Sequence, residues 1–244
     1  MLTQFGFDTL AVLWLGALLG GIAAGASGFA FALASTSIWL HRIDPIHSAV
    51  LATGCGVLLH ISTLWPQRKN LDVGRIWPFV VGGVAGVPVG IYLLTYTRPG
   101  LLKACLGIFL LAFGAYVLIA PRLRPINWGG RASDAGVGFI AGIMGGLGGY
   151  SGVLPTIWTQ LRGWPKATAR AVYQPFIIVM QILSLAGIMM VTLDTTALVL
   201  LVEALPALLL GAWIGWKLYG HLDDRRFRQG LALLLIASGA VLVL

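Results

Sequence analysis

A chain of 244 residues that is 58% hydrophobic and only 10% charged is no soluble domain, where about one residue in four is charged. It reads as an all-α integral membrane protein. The net charge of +8 comes from basic residues set between apolar segments, which is the pattern of membrane orientation and excludes a nucleic-acid partner. Cys55 and Cys105 lie in apolar segments without ligand spacing, so neither a metal nor a cofactor is expected.

In chain order the apolar segments run roughly 9–40, 46–65, 76–96, 101–120, 135–161, 168–192, 196–216 and 227–244. No Lys or Arg precedes the first of them, so no signal peptide is expected. Six segments have about the 20 residues that a spanning helix needs. The first and fifth are longer, and each is interrupted by small residues, "GASGF" (25–29) and "GGLGGYSG" (145–152). Glycine weakens a helix by about 1 kcal/mol per residue, so both segments should break there. Broken backbone is tolerated at membrane depth only where protein or a water-filled cavity surrounds it.

The order of one long broken segment and three ordinary ones occurs twice. "DPIHSA" (44–49) aligns with "WPKATA" (164–169), and "GVPVG" (86–90) with "GAWIG" (211–215). Two homologous membrane repeats follow, 1–120 and 135–244, joined by a linker at 121–134. If segment 5 crosses the membrane, the 16 basic residues divide ten to six; if it turns back, only Arg42, Arg98 and Lys103 lie on the opposite side from the other thirteen. The positive-inside rule favours the second arrangement. Residues 135–145 and 152–161 then form two arms of about 15 Å each. Each repeat is a re-entrant helical hairpin plus three transmembrane helices, so the repeats are inverted and both termini face outside. Inverted repeats with broken helices are the pattern of secondary transporters, and half-helix N-termini suit an anion.

The stretches "GGIAAGASGFAFALAS" (20–35), "DPIHSAVLATG" (44–54), "RKNLDVGRIWP" (68–78), "GFIAGIMGGLGGYSGVLP" (138–155) and "KATARAVYQ" (166–174) resemble the sulfite exporter TauE/SafE family. That resemblance implies transport of a sulfur-containing anion, such as sulfite or an organosulfonate, across the inner membrane and commonly outward.

Such an anion needs N–H and O–H donors and a guanidinium. Arg170, Gln174, Ile177 and Gln181 are spaced i, i+4, i+7 and i+11, one face of segment 6. The matching face of segment 3 carries Thr53 and His60. Ser27, Gly28, Phe29, Gly148, Gly149, Tyr150 and Ser151 sit at the two breaks, where the hydroxyls would donate and the rings would wall an organic sulfonate. Glu203, the single Glu of the chain, lies within an apolar span, and with His60 it is a candidate proton carrier. A homodimer is the assembly to expect, with the small anion and the lipid bilayer as partners. An anion channel is the alternative. An intramembrane enzyme is the weaker one, because no paired carboxylates and no Ser–His arrangement appear.

Overall fold

Inside a bilayer each segment has to satisfy its own backbone polar groups, which a helix does. The computed structural model describes residues 6–64, 71–119, 129–192, 195–218 and 224–243. These form α1 (Phe7–Ser27), α2 (Phe31–Trp39), α3 (Pro45–Leu64), α4 (Val73–Tyr96), α5 (Pro99–Ile119), α6 (Arg131–Gly148), α7 (Val153–Leu161), α8 (Lys166–Thr192), α9 (Thr196–Leu218) and α10 (Asp224–Val243). A 3₁₀ turn, Tyr150–Gly152, joins α6 to α7. Among the described residues six helices, α1, α3, α4, α5, α8 and α9, are long and apolar enough to cross a membrane. The linker expected at 121–134 lies outside the described residues as far as 128, and α6 begins within its last four residues.

Both long segments break at the glycines. α1 stops at Gly28 and α6 at Gly149, each in the left-handed region (φ 83° and 78°). The Gly28 N–H donates to the Ala24 carbonyl at 2.7 Å and the Gly149 N–H to that of Gly145 at 2.8 Å. A side chain would strain this αL cap, and glycine does not.

After each break the chain turns back along the arm it came from. Trp39, at the end of α2, donates its indole N–H to the Leu13 carbonyl of α1 at 3.0 Å and packs edge-on to Phe31. It belongs to the core, whereas Trp77 and Trp216 are exposed. In the second hairpin Trp158 of α7 donates to Asp134 of α6 at 2.7 Å, and Arg162 stands 3.4 Å from the same carboxylate oxygen. The guanidinium groups of Arg162 and Arg75 lie 5.6 and 5.1 Å from the Trp164 ring, so the hairpin's end is also tied to α4.

The arms are unequal, which corrects the expectation of two 15 Å arms. α6 has 18 residues, about 27 Å of helix, and α7 has nine. Of the glycines expected to form the break, Gly145 and Gly146 remain helical, and the helix stops only at Gly149. Gly138, Gly142 and Gly146 lie on the backbone of α4 at Phe79, Gly83 and Val87, and α4 returns Gly82, Gly86 and Gly90 to α6. Close approach of two backbones offsets the low helix propensity. The same device joins α1 to α9, through Gly21 and Gly25 on one side and Gly211 and Gly215 on the other.

Pairing is thus reciprocal: the hairpin of each half packs on a helix of the other, α1 on α9 and α6 on α4. α3 packs on α8 and α5 on α10. The "GVPVG" and "GAWIG" stretches, aligned from sequence, occupy these corresponding contacts. A Cβ on Gly142 would fall on the Gly83 carbonyl oxygen, whereas one on Gly136 of the same helix meets nothing within 4 Å. Gly142→Ala should therefore lower stability by about 1–3 kcal/mol, and Gly136→Ala should be neutral or stabilising. Thermal unfolding of the two purified variants checks this.

Candidate functional site

The polar face expected on α8 is buried: Gln174, Ile177 and Gln181 are at most 1% exposed, while Arg170 is half-buried. The face continues to Ser184, also fully buried. Sequence reading missed Ser184, although it follows Gln181 by three residues and so shares its helix face.

Arg170 reaches the first break. A Cβ on Gly28 would stand 2.5 Å from Arg170 Nη2, so the missing side chain is what lets the guanidinium lie there. His60 of α3 lies within electrostatic reach of the same guanidinium. Ser27 is the last residue of α1, and its side chain lies outside the described residues. A Cβ on Gly152 would stand 3.4 Å from Phe29 Cβ and 2.7 Å from Ile177 Cδ1. The two breaks therefore adjoin, with Ile177 of α8 against their junction.

Two helices begin at this junction, α2 after Ala30 and α7 after Gly152, and neither N-cap carries a side-chain hydrogen bond. The first turn of a helix presents backbone N–H groups and the positive end of its dipole. Such ends suit an anion, while the C-terminal end of α1 at Gly28 meets the Arg170 guanidinium.

The second break rests on α3. A Cβ on Gly149 would lie 3.3 Å from Ala52 Cβ and 3.5 Å from Thr53 Cγ2. The Thr53 hydroxyl donates to the Ala49 carbonyl of its own helix at 2.7 Å. Tyr150 is buried; its hydroxyl shares a 2.7 Å hydrogen bond with Thr36 of α2, its ring packs 5.8 Å from that of Phe109, and Gly148 lies under it. That bond ties the second break to the first hairpin. Thr36 went unnoticed in the sequence because it sits in a run of small residues on α2.

Ser151 Oγ, Gln181 Oε1 and Ser184 Oγ are buried with no hydrogen-bond partner among the described residues. Glu203 stands apart from this cluster. It lines a groove of about 330 Å³ between α1 and α9 with Trp14, Pro206, Ala207 and Leu210, and its backbone carbonyl accepts from the Trp14 indole at 3.0 Å. Among the described residues no three His, Cys, Asp or Glu side chains gather to hold a metal ion. The arrangement can bind and position a small polar ligand.

The family model described as Sulfite exporter TauE/SafE matches residues 13–242. No curated protein and no solved structure matches the chain. The match takes in both hairpins and reaches from within α1 to within α10; among the described residues six helices are long and apolar enough to cross a membrane. The chain belongs to the sulfite exporter TauE/SafE family, and it is a multi-pass membrane transporter of that family and not an enzyme.

Proposed function

We propose that this protein carries a small sulfur-containing anion, sulfite or an organosulfonate, outward across the inner membrane, and binds it where the two breaks adjoin. The observation that carries the reading is the Arg170 guanidinium laid against Gly28, beside the first turns of α2 and α7. Arginine's planar fork matches two oxygens of a sulfonate or sulfite group at once. Gln174, one turn along α8, is placed to donate from its amide, and Phe29 faces the organic part of a sulfonate.

In this reading the halves 1–120 and 135–244 are inverted repeats that rock about the shared site. The reciprocal packing of α1 on α9 and α6 on α4 supports it. So does the meeting of Asp134 with Trp158, which sets the start and end of the second hairpin side by side. Both termini then face outside, and the site opens to each side in turn.

Three outcomes test the reading. Arg170→Lys keeps the charge but loses the fork, which costs about 1.5–3 kcal/mol, so sulfite or sulfonate affinity in proteoliposomes should fall at least about tenfold. Wild-type affinity in Arg170→Ala would refute the site. Gly28→Ala adds a Cβ where Nη2 now lies and strains the αL cap by about 1–2 kcal/mol. Its transport should drop sharply while the protein still inserts, measured as uptake per inserted molecule. Single cysteines at Ala132 and Gly163 should both be labelled from the cytoplasmic side. Labelling from opposite sides would rule out a re-entrant second hairpin.

A further inference from the structure

Beside the second break lie three buried oxygens that the proposed anion site leaves unused. Ser151, Gln181 and Ser184 are at most 1% exposed, and Ser151 Oγ, Gln181 Oε1 and Ser184 Oγ have no hydrogen-bond partner among the described residues. Unpaired buried groups of this kind are costly, and a native fold keeps three together when something meets them.

They lie in one neighbourhood, where α3, α6 and α8 meet. Gly149, past the end of α6, rests on Thr53 of α3, and one turn along α3 a Cβ on Gly56 would fall on the Gln181 amide. One turn along α8 from Gln181, Ser184 Oγ stands 3.5 Å from where a Gly145 Cβ would be, and Ser151 Cβ stands 3.2 Å from the same point. Gly145 is one turn before Gly149, which closes the circuit.

This circuit includes the last turn of α6, where carbonyl oxygens and the negative end of the helix dipole gather. That end repels an anion and attracts a cation. Neutral hydroxyl, amide and carbonyl oxygens are hard ligands. No carboxylate among the described residues is seen to join them: Glu203 lies in the α1–α9 groove and Asp134 is held by Trp158 at the far end of α6. A divalent ion would stay uncompensated in such a site. None of the three side chains titrates near neutrality, so a proton is not the occupant.

We propose that Ser151, Gln181 and Ser184, with carbonyls of the last turn of α6, bind a sodium ion. This goes beyond the anion reading and takes Ser151 and Gln181 for the cation, on the other side of Ile177 from Arg170. The two sites share the 3₁₀ turn Tyr150–Gly152, so an ion that orders the end of α6 also sets the start of α7 beside the anion. Occupancy of one site thereby favours the other.

Thermal unfolding of the purified protein, titrated with sodium chloride against choline chloride and without any sulfur anion, tests the site. Sodium should raise the unfolding midpoint saturably and choline should not. Ser184→Ala removes a ligand but also a buried unpaired hydroxyl, so it should fold as well in choline and need at least about tenfold more sodium for half of the rise. Ser151→Ala serves the same purpose should Ser184→Ala fail to fold. Equal midpoints in sodium and choline for the wild type would overturn the proposal, as would a sodium response unchanged in both serine variants. Arg170→Ala should keep the sodium response, so a failure of the anion site and a failure of the sodium site are told apart.

Discussion

A helix that stops inside apolar protein leaves backbone groups with no water to take them, and the two stops at Gly28 and Gly149 are the constraint that the rest of the chain meets. Each stop is closed by a left-handed glycine cap that returns an N–H to the preceding turn. The caps satisfy only part of what the helix ends expose. Enclosure by other helices is required as well, and α3, α8 and the opposite hairpin supply it. The long arms can come close enough to do so because glycines on α4 and α6, and on α1 and α9, let backbone meet backbone. Helix association in a bilayer has no strong hydrophobic drive of its own, so this contact is a main source of cohesion.

α8 then organises what the two breaks expose. Its one polar face passes both, with Arg170 at the first and Ser184 near the second, and Ile177 set against their junction. The end of α1 and the starts of α2 and α7 lie toward Arg170, and the end of α6 lies toward Ser184. Polar groups buried in this way are expensive wherever they stand. On α8 they share one face against two broken helices, where a polar ligand could offset that cost; the buried hydroxyls of Thr36 and Thr53 elsewhere bond to protein instead. Sulfur-anion transport, the activity of the family, asks for that kind of face.

Much of this was legible in the sequence. Gly28 and Gly149 ended their helices where the glycine clusters placed the breaks, and the i, i+4, i+7, i+11 spacing put Gln174 and Gln181 on one buried face. The arms of the second hairpin were misjudged because glycine has two effects that read alike in sequence. Alone it weakens a helix, but against another backbone it permits an approach that no larger residue allows, and Gly146, counted with the break, acts in the second way. Ser184 and Thr36 were overlooked because a hydroxyl on an apolar helix can bond to its own backbone, as Thr53 does. Nothing local tells which hydroxyls do.

The sequence by itself determined that the chain lives in a membrane, that it is helical, and that two segments break. Length, hydropathy and glycine's backbone freedom are local properties and need no partner. Only the tertiary structure decided that Arg170 reaches Gly28, that Tyr150 bonds Thr36 across 114 positions of chain, and that Glu203 opens into an outer groove instead of joining the polar cluster. Each of these depends on which helix packs beside which, and that choice rests on backbone contacts between glycines in opposite halves of the chain. A single-residue pattern carries no trace of such a partner, because the residue and its partner are separated by most of the sequence and meet only when the helices close.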